Sequence, residues 1–261
     1  MAVSAGPAIL SDLPVNLLSL SEHLLIHTIS SSQITPAVEG GGVHGVSQLF
    51  ILDEMMKQIR LRENLPNTPK PCEYFDLIGG TSTGGLIAIM LGRLKMSTKE
   101  ALQSYNKISS VVFSSENRKP FYRDGKFKAT TLKEEMQNVV HQAGHSNDQK
   151  LLDPDARPNS KGNAFMCSMT GINLRSPQRF RTYQGLPNQS PVCKIWEAAR
   201  ATTAASTFFK AIKITGPGGF GPDYIDAGLG FNNPAKEVRD EAKELFGPNR
   251  RIGALISIGT G

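Results

Sequence analysis

Two short clusters in this chain hold the residue types that acyl-transfer chemistry needs. The first is Gly80-Thr81-Ser82-Thr83-Gly84, a G-x-S-x-G pattern with a serine hydroxyl between glycines. Apolar runs over residues 74–78 and 86–91 flank it, which predicts a strand, a sharp turn and a buried helix. On such a turn the hydroxyl projects above the sheet, and Gly80 and Gly84 are where a side chain would collide across the bend. The pattern is short, and in a chain with 25 glycines its weight comes from that setting. The blander reading is a tight turn whose Ser82 caps the helix.

The second cluster is Tyr224-Ile225-Asp226-Ala227-Gly228, a short strand end that delivers one carboxylate into a glycine turn. A serine hydroxyl is a weak nucleophile until a base takes its proton. An aspartate in such a turn is commonly a turn former, yet Asp226 has the local setting that best fits the base. In the common hydrolase order a histidine follows the serine and the acid. The histidines are His23, His27, His44, His141 and His145, so none comes after Asp226. His141 and His145 fall at the end of a polar helix and in a loop and read as solvated. A conventional serine esterase or thioesterase using one of them is the alternative enzyme.

A third stretch, Gly40-Gly41-Gly42-Val43-His44-Gly45, opens a helix and offers backbone N–H groups to a negative charge. Its G-x-G-x-x-G spacing also matches a dinucleotide-binding turn, which requires an acidic residue at the end of the next strand. That strand runs into the serine turn instead. The glycine loop therefore reads as an oxyanion hole facing Ser82.

The elements that must position these residues follow from the rest of the chain. Strands are expected over residues 15–20, 164–169, 179–183, 208–214, 224–226 and 252–258. Helices are expected from residue 46 to just before Pro66, and over 98–111, 131–142, 194–202 and 235–245, with a polar loop over 145–161. Strands alternating with helices in 261 residues predict a layered α/β fold with a largely parallel sheet. A hydrophobic fraction of 39% with 20% charged residues is globular. No apolar run approaches the ~18 residues of a membrane span, and the N-terminus lacks the basic lead of a secretory signal, so a cytoplasmic protein, peripheral at membranes, is expected. Cys72, Cys167 and Cys193 are too scattered for a disulfide framework or a zinc site, and no metal is expected. The net charge of +6 is spread along the chain, and no nucleic-acid motif accompanies it.

The three motifs in this order and rough spacing, with the stretches IWEAARATTAASTFF and YIDAGLGFNNP, resemble the patatin-like phospholipases over roughly residues 39–261. The resemblance implies a three-layer α/β/α fold with a central, largely parallel sheet. It implies hydrolysis of fatty-acyl esters by a Ser82/Asp226 dyad, without histidine, metal, cofactor, nucleotide or nucleic acid, on a phospholipid or glycerolipid at a membrane surface. By position, Gly40, Gly41, Gly42, Val43, His44 and Gly45 form the oxyanion hole, and Gly80, Gly84, Ala227 and Gly228 support the two motifs. The chain departs from the family pattern at Glu39 and His44, where an Asp and a basic residue are usual. Residues 21–38 stand as an insertion between the first strand and the glycines, in an N-terminal segment of residues 1–38. The family generally continues past the ISIGTG strand, which implies a domain cut short here. A catalytically impaired lipid-binding module is the non-enzyme alternative.

Overall fold

In a computed structural model of the chain, residues 14–20, 45–120, 125–171, 173–184, 190–216, 218–229, 231 and 233–259 are described. The expected insertion (residues 21–38) and Gly40, Gly41, Gly42, Val43 and His44 lie outside them.

The described strands are β1 (Val15–Leu20), β2 (Leu77–Thr81), β3 (Asn163–Thr170), β4 (Asn173–Arg181), β5 (Ile212–Lys213), β6 (Asp223–Asp226) and β7 (Ile252–Ile258). They form one mixed sheet in which β7, β1, β2 and β3 are successive parallel neighbours. β4 and β6 run antiparallel to β3, and β5 antiparallel to β6. Five of the seven strands therefore point the same way.

Two helical layers cover this sheet. Leu18 and Leu20 of β1, Ile78 of β2 and Ala164 and Met166 of β3 face one core, together with α1 (Gly45–Arg62), α3 (Thr83–Ala88), α4 (Thr98–Val112), α5 (Ala129–Gln142) and α6 (Ile195–Thr202). The alternate residues Val15, Leu17, Leu77, Phe165, Cys167 and Met169 face a second core against Val238, Ala242 and Leu245 of α7 (Ala235–Phe246). Period-2 alternation thus buries both faces, and the central strands read as nearly continuous apolar runs. The result is the three-layer α/β/α arrangement.

Two expectations shift. The strand expected over residues 74–78 begins later, at Leu77, because Pro71 starts a short helix, α2 (Pro71–Tyr74), and Phe75 ends it. Gly79 and Gly80, which look like turn residues, are strand residues. A Cβ on Gly79 would lie 2.7 Å from the Phe165 ring and closer still to Val238, so its absence lets α7 approach the sheet. The strand expected over 208–214 shrinks to Ile212–Lys213, because Phe208 and Phe209 fold back through amide bonds to the Ala205 carbonyl.

Candidate active site

The register of β3 decides how the two candidate residues meet. Along one edge β3 pairs with β4, from Phe165↔Arg181 to Thr170↔Asn173. Its other edge is shared: Asn163 to Cys167 pair with β2, ending at Cys167↔Thr81, and Ser168 to Thr170 pair with β6, starting at Ser168↔Asp226. The end of β2 and the end of β6 therefore abut head-on at consecutive residues of β3, about 3.8 Å apart along the chain. Ser82 follows Thr81 at this junction, and Asp226 is the last residue of β6. This convergence cannot be read from the sequence, since it depends on pairings more than fifty residues apart.

Ser82 occupies the turn into α3 with φ 55° and ψ −122°, a conformation that a non-glycine residue holds at a cost of roughly 1–3 kcal/mol. Its surroundings enforce it. The Ser82 N–H donates to Thr202 Oγ1 (3.0 Å), whose own hydroxyl donates to the Cys167 carbonyl (2.8 Å). The Ser82 carbonyl accepts from Gly85 and Leu86 (2.9 and 3.2 Å). A Cβ on Gly80 would lie 2.6 Å from the Gly85 nitrogen and closer still to the Gly84 carbonyl, and one on Gly84 would lie 2.6 Å from the Leu20 carbonyl carbon. Both obstacles are backbone, so neither yields cheaply. Gly84→Ala is expected to push the turn away from the end of β1 and lower the melting temperature by several degrees, at about 1–3 kcal/mol for overpacking, which thermal unfolding would read.

Asp226 is 3% exposed and Ser82 5%. The Asp226 Oδ1 accepts from the Gly228 N–H (2.8 Å) and its own N–H donates to the Ala204 carbonyl (3.0 Å), so the carboxylate is fixed by the glycine turn that follows it. Ala227 is fully buried in the second core. The Ser168 hydroxyl lies within hydrogen-bonding distance of the Ile225 and Ala201 carbonyls (2.7 and 3.0 Å), tying β6 and α6 to β3 beneath the junction. Gly45, the one described residue of the glycine loop, starts α1 against the same turn. A Cβ there would lie 2.5 Å from Tyr105 Cζ and closer still to Thr83.

Ser82 opens onto an apolar pocket of about 480 Å³, open mouth included, walled by Leu86, Tyr105, Ile108, Val112, Leu132 and Phe209, among others. Arg200, from α6, stands behind Phe209 with its guanidinium 5.4 Å from the ring centre and donates to the Lys210 carbonyl (3.0 Å), holding the 204–210 segment in place. Burial lowers its pKa to about 10. No histidine is among the described residues lining the pocket, and His141 is exposed at the far end of α5. Burial pushes the Cys167 thiol up to about 12, so this thiol at the junction is held neutral. Thr202, Phe208 and Phe209 come from the IWEAARATTAASTFF stretch, whose small-residue pattern signals close packing but not these contacts.

The profile of patatin-like phospholipases matches residues 37–239. The chain belongs to the patatin-like phospholipase family. Over 86% of its length it is 26% identical to the calcium-independent phospholipase A2-gamma of Homo sapiens and 26% identical to phospholipase A I of Arabidopsis thaliana. Over 76% of its length it is 24% identical to the probable inactive patatin-like protein 9 of Arabidopsis thaliana. The chain spans 28%, 20% and 51% of the lengths of these three relatives. No described helix is long and apolar enough to cross a membrane.

Proposed function

We propose that the chain is a serine lipid acyl hydrolase in which Ser82 is the nucleophile and Asp226 its base. The observation that carries this reading is the head-on junction of β2 and β6 on β3, where a strand ending in a fixed, buried carboxylate abuts the one that runs into a strained, buried serine, itself lining an apolar pocket. In the proposed reaction Asp226 accepts the Ser82 proton as Oγ bonds to the ester carbonyl carbon. Amides of the loop from Gly40 to Gly45 hold the oxyanion. Collapse breaks the ester C–O bond, and the leaving alkoxide takes the proton from Asp226. Water then adds to the acyl-enzyme, giving its proton to Asp226, and the fatty acid leaves as Ser82 is reprotonated. The pocket suits an alkyl chain, since its walls are aliphatic and aromatic carbon. The substrate is then a phospholipid or acylglycerol met at a membrane surface by a cytoplasmic, peripheral enzyme.

Fatty-acid release from phospholipids, acylglycerols and short-chain esters tests this. Wild type is expected to release fatty acid, and Ser82→Ala and Asp226→Asn are expected not to. Intact esters with a folded wild type would sink it and favour a lipid-binding module, the reading that a relative named probable inactive keeps in view.

A further inference from the structure

Three separate segments bring exposed cations to the side of this pocket. Residues 117–119 and 126–128 form a short antiparallel ladder, with an Arg118↔Phe127 bridge, a Lys119 N–H bond to the Lys126 carbonyl (2.8 Å) and a Lys128 N–H bond to the Asn117 carbonyl (3.0 Å). This ladder is fastened to the pocket wall by the Lys126 N–H to the Thr207 carbonyl (3.1 Å) and the Phe127 N–H to the Phe208 carbonyl (2.9 Å). Phe127 is buried against Phe113, Phe208 and Phe209, all three of which line the pocket. Arg118, Lys126 and Lys128 are exposed around it, and so is Lys210, directly after Phe209.

Among the described residues none of these four cations pairs with a carboxylate. Lys128 Nζ donates only to the backbone carbonyl of Glu116 (3.3 Å). Other surface lysines do find a carboxylate, as Lys57 with Asp53 (2.7 Å) and Lys194 with Asp148 (3.0 Å). Four exposed cations without a carboxylate partner among the described residues thus stand on segments fastened to one wall of the pocket.

The same end of the sheet carries an exposed aromatic. β6 starts at Asp223, whose carbonyl accepts from Gly171 just past the end of β3, so the β5–β6 hairpin projects beyond the strand ends where Ser82 and Asp226 lie. At its tip Phe220 is 90% exposed, and its carbonyl accepts from Gly216 (3.0 Å), which fixes the turn behind the ring. An apolar ring held in solvent at the end of the sheet that carries Ser82, together with cations on the pocket wall, matches a phase with anionic headgroups above hydrocarbon.

We infer that Arg118, Lys126, Lys128 and Lys210, with Phe220, form a docking surface for an anionic phospholipid bilayer, so that this chain prefers membranes rich in acidic lipid. The inference rests on the lipid hydrolase reading for its purpose, but its test is binding. Sedimentation with phosphatidylcholine vesicles, with and without phosphatidylglycerol, compares wild type with K126Q/K210Q, with F220S, and with K236Q/K243Q, which removes the same charge from α7 on the opposite face of the sheet.

Phosphatidylglycerol is expected to strengthen wild-type binding, and high salt to weaken it. K126Q/K210Q should bind those vesicles roughly ten- to thirty-fold more weakly, at about fivefold for each cation near an anionic surface. F220S should lose about tenfold, K236Q/K243Q almost nothing, and all should melt like wild type. The surface is overturned if phosphatidylglycerol leaves binding unchanged, if both lysine pairs weaken it equally, or if a single-stranded oligonucleotide binds and the vesicles do not. Ser82→Ala should bind as wild type does. Charge-dependent binding without ester hydrolysis would thus sink the hydrolase reading and leave the docking surface standing.

Discussion

Asp226→Asn is expected to leave the fold intact and to lower kcat for ester hydrolysis by about 10² to 10⁴, the range that a positioned general base contributes. The substitution is nearly isosteric. The introduced amide would keep an oxygen to accept from the Gly228 N–H, and the backbone bond from residue 226 to Ala204 is untouched, so melting should barely move. What disappears is the capacity to take a proton, and about 3 to 5 kcal/mol of transition-state stabilisation disappears with it. Ser82→Ala removes the nucleophile itself and should reach background. Because the two groups act as one unit, the double variant should be little worse than Ser82→Ala alone. Retention of activity in Asp226→Asn together with its loss in His141→Ala or His145→Ala would return the esterase reading. The exposed position of His141, away from the pocket, argues against that outcome.

The candidate residues were more legible than the geometry that joins them. GTSTG and DAG pointed to Ser82 and Asp226 as candidates because the chemistry proposed for them depends on short local patterns of glycine and strand. Their meeting depends on β3 sharing one edge between two partners, and register of that kind leaves no local trace. The end of β2, which runs on past Ile78, has a similar cause. Gly79 and Gly80 have low strand propensity, and only the close approach of Val238, Phe165 and Gly84 requires them there. Phe208 and Phe209 show the converse. They look like strand residues, yet the pocket claims their side chains and the chain turns to supply them. β4 was legible only at its apolar end, near Phe180 and Tyr183, because its first half, starting at Asn173, is polar and carries Pro177.

The same polar strand carries a buried electrostatic cluster, the largest among the described residues, and removing its centre is expected to cost more stability than any other single change considered. Glu241 of α7 is 0% exposed and receives Arg179 (2.6 Å), two bonds from Arg181 and the Tyr183 hydroxyl (2.6 Å), while Arg179 also holds Glu237 (2.6 Å). These contacts fasten α7 to β4 across the second core. Burial by itself would raise the Glu241 carboxyl, but the hydrogen bond and charge of Arg181, aided by Tyr183 and Arg179, outweigh it and hold the group below its ordinary 4.5. Burial and the neighbouring Glu241 keep the Tyr183 hydroxyl protonated well above its ordinary range, so it remains a donor.

Glu241→Gln keeps the shape but leaves two largely buried guanidinium groups facing a neutral amide, with Glu237 and the more exposed Glu244 as the remaining carboxylates of Arg179. Breaking a buried pair in this way costs about 3–5 kcal/mol, a large share of the 5–15 kcal/mol typical of a domain. The melting temperature should fall by on the order of 10 °C. The pH dependence separates charge from packing. A carboxyl with a folded pKa below its unfolded value contributes stability that is fully present above the unfolded value and is lost as pH falls through the folded one. The gap between wild type and Glu241→Gln should therefore be widest at neutral pH and narrow below pH 4.5. A gap that stays constant down to the acid limit would assign the loss to packing of α7 and not to the charge that Arg179 and Arg181 surround.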